Sequence, residues 1–462
     1  MYSILDYGAR SGEDCTVAIQ AALQHAGFAG GGEVAVPSGV YEFSSLRMPG
    51  RTALRLERGA VLRVLDDISG VGPVGFYHNE LGEVTSCIWA MDAEDVSICG
   101  EGIIDLNGSR HFDPARPIIP EAMRGRVTPE QSAECTWAYD RRVNQPVFFA
   151  RCSNVRIDGV TIRDSPCWTL TFALCRGVRI SDITIFNHPN VPNNDGVHIC
   201  STSDVMITGC RMDCADDCVA VTSIVDWDVP CENIAVSDCI LRSFSKAIVL
   251  GYMHSVVRRV TVSSVTLLGC NRGLTIMSCA RSGLVEDVTF ANCYVGTRIR
   301  AGNWWGNGEP VFIMAVEKPG WFYEAAREPF AVNVRNIRFS NIICDAENGV
   351  GVIGGGQNIS HIRMDGVSVR MHPSANMSLK GRVMDLSPSQ QSETIPQDGS
   401  EYWLVVRGAR DVRMDDVCLL DSPGYRACIA DCADVTMQGR AGGRYETNIQ
   451  NGVNVRLGEF GE

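Results

Sequence analysis

The chain has 462 residues, 45% of them hydrophobic and 21% charged, which is enough apolar material for a large core. Its 41 Lys and Arg against 54 Asp and Glu leave a net charge of −13, which repels a phosphate backbone and argues against a nucleic-acid partner. No run of about 18 apolar residues occurs, so a transmembrane helix and a membrane partner are not expected.

The opening residues Met1 to Gly8 lack a basic stretch followed by an apolar one, and the expectation is therefore a cytoplasmic protein. The 20 cysteines fit that expectation. They lie too sparsely for a disulfide scaffold, show no zinc-finger spacing, and sit inside apolar words, where they read as small buried hydrophobes. Residues Cys15 to His25 form the best helical stretch of the sequence, followed by Gly30-Gly31-Gly32 and the strand Glu33 to Val36. Residues 1–45 read as an N-terminal cap and first coil.

Further along, a word of the form apolar-x-x-apolar recurs with Asp, Asn, Ser or Gly inside it. It is Ile157-Asp158-Gly159-Val160, then Ile180-Ser181-Asp182-Ile183, and further copies end at Cys210, Cys239, Val265 and Cys293, stepping by 23, 27, 29, 26 and 28 residues. Copies ending at Ile342, Val367 and Val417 follow after 49, 25 and 50 residues, or about two coils, one and two. A fixed period of this size marks a solenoid. Short alternating segments rich in Val, Ile and Thr make its units strands, and a leucine-rich frame is absent. The expected fold is an all-β, single-stranded parallel β-helix of some ten coils forming one domain over 1–462. Insertions at 109–146 and 302–328, the latter with Trp304, Trp305, Trp321, Phe322 and Tyr323, are expected to wall a cleft. A Ser- and Pro-rich segment covers 372–400.

Five strands align after their turns: Trp168 to Phe172, Asp195 to Ile199, Asp217 to Val221, Lys246 to Leu250 and Arg272 to Ile276. Positions three and five are apolar throughout and point inward. Position four, with Thr171, His198, Ala220, Val249 and Thr275, is therefore expected to point out. Position one carries Trp168, Asp195, Asp217, Lys246 and Arg272. Coils stack about 4.8 Å apart, which brings Asp195, Asp217 and the adjacent Asp216 together. Like charges this close raise at least one pKa, so that one carboxyl serves as an acid while another stays a base.

These words resemble the polygalacturonase-type glycoside hydrolases of family 28. Asn193-Asn194-Asp195-Gly196 is similar to the family's Asn-Thr-Asp-Gly, and Ala215-Asp216-Asp217 to its Gly/Gln-Asp-Asp. The opening Asp6-Tyr7-Gly8-Ala9 and the stretch Asp164 to Thr169 match as well, so the likeness runs through most of the chain. It implies a right-handed β-helix acting on pectin. It further implies that Asp216 is the general acid and that Asp195 and Asp217 hold the attacking water, with inversion and carboxyl groups about 6.5–9.5 Å apart.

The family's Gly-His-Gly falls here on Ser245-Lys246-Ala247, and its Arg-Ile-Lys on Thr275-Ile276-Met277. Lys246, Arg272, His198 and Asn193 are the expected substrate ligands in their place. The word Asn303 to Pro310 also occurs in bacterial relatives, and its Trp304 and Trp305 either stack on sugar faces or anchor a loop. The expected activity is exo-acting, inverting hydrolysis of galacturonan or rhamnogalacturonan oligosaccharides, with no metal or cofactor. The alternatives are a β-helix lyase or intramolecular glycosyl transferase and a non-catalytic carbohydrate-binding protein. Oligomeric state stays open.

Overall fold

The computed structural model describes residues 1–119, 124–125, 127–302, 304–317, 328–376, 402–420, 424–441 and 444–461. Trp321, Phe322, Tyr323 and most of the 372–400 segment lie outside them. The chain gathers into two compact units. The first holds residues 1–117, 136–219 and 224–235, the second 118–135, 220–223 and 236–462.

In the first unit the expected helix runs Thr16–Phe28. Asp14 starts it, its Oδ1 accepting the N–H of Thr16 at 2.9 Å and the hydroxyl at 2.6 Å. Ile19, Ala22, Leu23 and Ala26 are its buried face. Gly31 follows at φ 124°, where a Cβ would come within 2.5 Å of the Arg51 carbonyl oxygen. Parallel strands then stack coil on coil. One row is Gly32–Val36, Thr52–Leu56, Ser97–Gly100, Ser153–Asp158, Arg176–Ser181 and Ser203–Thr208. Another row is Leu46–Arg47, Ile88–Met91, Val147–Ala150, Leu170–Ala173 and Val197–Cys200.

The second unit repeats the pattern. Val256–Ser263, Leu284–Thr297, Val334–Ala346, Ile359–Met371 and Ala409–Leu420 pair in parallel. So do Lys246–Leu250, Arg272–Ser278, Glu309–Ala315, Val350–Gly354, Tyr402–Arg407 and Gly424–Ala430.

The recurring word forms a corner of each coil that carries it. Its third residue is left-handed in every copy: Gly159, Asp182, Gly209, Asp238, Ser264, Asn292, Asn341, Gly366 and Asp416 all have φ between 49° and 75°. Gly, Asn and Asp tolerate that region at least cost, which is why they fill the position. The apolar residues on either side, such as Ile157 and Val160, are buried. All 20 cysteines are free thiols, most of them buried, and burial pushes Cys87 and Cys344 up to about 12.

Position four points outward as expected, yet its residues are shielded from solvent. Thr171, His198, Ala220, Val249 and Thr275 are all buried. Alternation places them on the outer face, which a second layer covers in the first unit and which neighbouring coils' side chains shield in the second. In the first, the antiparallel hairpin Pro73–His78 and Gly82–Thr85 lies over it, with Phe76 edge-on to Phe148 at 5.1 Å and His78 edge-on to Trp168 at 5.0 Å. In the second, Ala220 and Val249 join Met277, Phe312, Met314 and Ile353 in an apolar cluster.

Candidate active site

In the first unit, one buried asparagine ties the two Asp-bearing turns together. Asn194 Oδ1 accepts the backbone N–H of Ala215 at 2.7 Å and of Asp216 at 3.3 Å, and its Nδ2 donates to the His188 carbonyl at 2.8 Å. Asn187 braces the same turn by donating to the Asn194 carbonyl and to Thr169 Oγ1, both at 2.9 Å. The chain ladder completes the stack: Gly196 N–H donates to the Asp217 carbonyl at 2.8 Å, and Thr169 N–H to the Asp195 carbonyl at 3.0 Å. Gly196 has to be glycine, because a Cβ there would sit 2.5 Å from the Cys218 carbonyl oxygen. Asp195, Asp216 and Asp217 are thereby gathered on adjacent coils, as their spacing predicts, and all three are buried.

The carboxylates of Asp216 and Asp195 are oriented by different neighbours. Asp216 Oδ1 accepts the N–H of Asp217 at 3.0 Å, and its Oδ2 lies 3.4 Å from Asn193 Nδ2. Asn193 takes a left-handed φ of 57° to present that amide. Asp195 Oδ2 lies 3.2 Å from His198 Nδ1. Cys214 and Cys218, which flank the Asp pair, are buried, and burial pushes both thiols up.

His198 was expected as an outward substrate ligand, and the structure instead stacks its ring on Trp168 at 3.6 Å. Trp168 in turn carries His78 against its edge. His78 Nδ1 accepts the N–H groups of Glu80 at 3.1 Å and Leu81 at 3.3 Å, which leaves the proton on Nε2, 3.8 Å from Cys200 Sγ. Burial holds His78 neutral, with its pKa lowered to about 3. Sequence reasoning missed His78, because nothing local marks the hairpin that delivers it.

The other expected ligands belong to the second unit. Lys246 is buried, its ammonium 5.1 Å from the centre of the Trp305 ring. Arg272 is fully buried, its Nε 3.0 Å and Nη2 2.9 Å from the two carboxylate oxygens of Glu309, and its guanidinium lies over Phe312 at 3.9 Å. That corrects its expected part in substrate binding, since the fork is committed to an internal carboxylate. Trp304 is only 2% exposed and donates Nε1–H to the Glu134 carbonyl at 2.6 Å. Of the two roles open to it, the structure gives it the anchoring one. Trp305 stays partly exposed.

Sequence comparison supplies the family. The model for glycosyl hydrolases family 28 matches residues 71–383, which include all three aspartates. The chain belongs to glycosyl hydrolases family 28. The family 28 chain is 25% identical over 297 residues to a probable exopolygalacturonase B of Aspergillus flavus, 61% of each protein. It is 24% identical over 283 residues to exopolygalacturonase B of Aspergillus niger, 58% of this chain and 57% of that protein. The matches thus span less than two thirds of these relatives' length. Among solved structures, the family 28 exopolygalacturonase of Yersinia enterocolitica superposes with a TM-score of 0.64 at 15% identity, covering 100% of this chain and 78% of that one. A Thermotoga maritima exopolygalacturonase gives 0.56 at 20% identity, covering 98% and 91%. The fold of the family 28 chain is the right-handed parallel β-helix.

Proposed function

We propose that this chain hydrolyses α-glycosidic bonds of pectin-derived oligosaccharides from a chain end, with inversion at the anomeric carbon. The observation that carries the reading is the Asn194 clamp, which holds the turn that carries Asp195 against the turn that carries Asp216 and Asp217. In the proposed step, Asp216 gives its proton to the departing glycosidic oxygen. Asp195 and Asp217 take a proton from water as its oxygen bonds to the anomeric carbon from the opposite face. The exopolygalacturonase names of the relatives support the exo mode and the galacturonan substrate. The twenty free thiols support a reducing, cytoplasmic setting.

The test is product analysis by mass spectrometry and anomer-resolved NMR on homogalacturonan, rhamnogalacturonan and neutral side-chain oligosaccharides. The expected result is one added water per cut, monomer or dimer released first, and an inverted anomer. An unsaturated product, or a retained anomer, overturns the reading.

A further inference from the structure

Arg142, in the 136–146 stretch of the first unit, is a cation without a carboxylate. Its Nη1 donates to the carbonyls of Pro192 at 2.7 Å and Pro166 at 3.3 Å, and its Nη2 to Asn193 Oδ1 at 3.0 Å. All three acceptors are neutral, and Arg142 forms no ion pair among the described residues. A guanidinium carries more N–H donors than those three bonds use. The group is half-buried, lies 4.5 Å from the centre of the Tyr139 ring, and leaves that ring 38% exposed.

Its position ties it to the reacting centre. Arg142 holds the oxygen of the Asn193 amide while the nitrogen of the same amide faces Asp216, so the cation stands one side chain away from the candidate acid. Nearby, the ring of Trp137 packs on His188 at 4.5 Å, and the Trp137 N–H donates to the Asn190 carbonyl at 2.9 Å, so the stretch is moored to the loop that carries Asn193.

We infer that Arg142 binds the carboxylate of a uronate residue of the substrate, with the exposed Tyr139 ring beside it offering a face to the sugar. The fork geometry of a guanidinium suits a carboxylate held by two N–H groups, and its remaining donors are available for that purpose. The inference rests on the proposed hydrolase activity and names the residue that selects an acidic over a neutral sugar at that site.

The experiment compares wild type, Arg142→Gln and Arg142→Lys on oligogalacturonate, with the methyl-esterified oligomer as a competing ligand, after thermal melting shows all three folded. The expected result is a KM for the free acid raised about tenfold or more in Arg142→Gln, partial recovery in Arg142→Lys, and an unchanged inhibition constant for the ester. Equal weakening of acid and ester, or a fall in kcat at constant KM, overturns the inference and makes Arg142 a brace for the Asn193 turn. Absence of any turnover by wild type overturns the proposed activity itself, and is seen before a variant is compared.

Discussion

Asp195 in the first unit and Arg272 in the second each stand at the turn into a strand of the same kind, and each is a charge withdrawn from water. Arg272 meets Glu309 on the next strand, its register partner, in a two-bonded pair that neutralises it in place. Asp195 meets His198 and the backbone of its own stack, and shares its surroundings with two further carboxylates. One arrangement satisfies a charge and stores it. The other sets three aspartates on adjacent coils, on turns that Asn194 and Asn187 fix by their backbone. The pair in the second unit is an internal ion pair, and the aspartates of the first are the proposed seat of the chemistry.

That contrast is open to direct attack. The largest effect is expected for Asp216→Asn, which removes the proposed acid without changing side-chain volume: kcat should fall roughly 10²–10⁴-fold with the melting temperature nearly unchanged. A loss under about threefold would remove Asp216 from that role. Glu309→Ala should do the reverse, leaving Arg272 buried without its partner at a cost of about 3–5 kcal/mol, read as a lowered unfolding midpoint in urea. His198→Ala should lower kcat by roughly 10- to 100-fold, because a hydrogen bond to a charged group is worth about 1.5–3 kcal/mol, and should alter the acid limb of the pH profile while leaving KM in place. An effect confined to melting temperature would reduce His198 to packing.

The smallest effect concerns His78. Its folded pKa of about 3 lies below the ordinary histidine value, so between that value and pH 3 the unfolded chain binds a proton that the folded chain refuses. Stability therefore falls with decreasing pH across this window, by up to about 1.4 kcal/mol per pH unit from this group. Melting curves from pH 7 to pH 4 should show a shallower acid slope for His78→Gln than for wild type, even if the variant starts lower. Parallel slopes would mean that His78 is protonated in the folded protein.

The fold was legible because its corner is a local event: one left-handed residue between two buried apolar ones leaves a mark within four positions. The aspartates were legible for the same reason, with a Gly after Asp195 and an Asn before it. What escaped depends on contacts between distant segments. Alternation identifies the outer face of a strand but says nothing about a second layer upon it, so the burial of Thr171 and His198 waited on the hairpin at 73–85. Glu309 lies 37 residues beyond Arg272, further than the usual coil step, because the 302–308 stretch intervenes between partners. Arg142 is recognisable only through the carbonyls it holds, and carbonyls have no sequence signature.

The left-handed corners carry a consequence for how such a chain changes over time. Each coil built on this word passes through the same backbone conformation at the same point, as a thread passes a fixed guide, so length added between a corner and its strands would throw later coils out of step. The stretches after the strands carry no such constraint. Steps between words range from 23 to 50 residues while the corner itself stays four residues long, and the 49- and 50-residue steps, expected to span two coils, each span one, since Phe290 pairs with Phe339 and Met364 with Met414. Novelty in what is bound can therefore accumulate in the long connections, such as the one bearing Arg142, without disturbing the turns that align the aspartates.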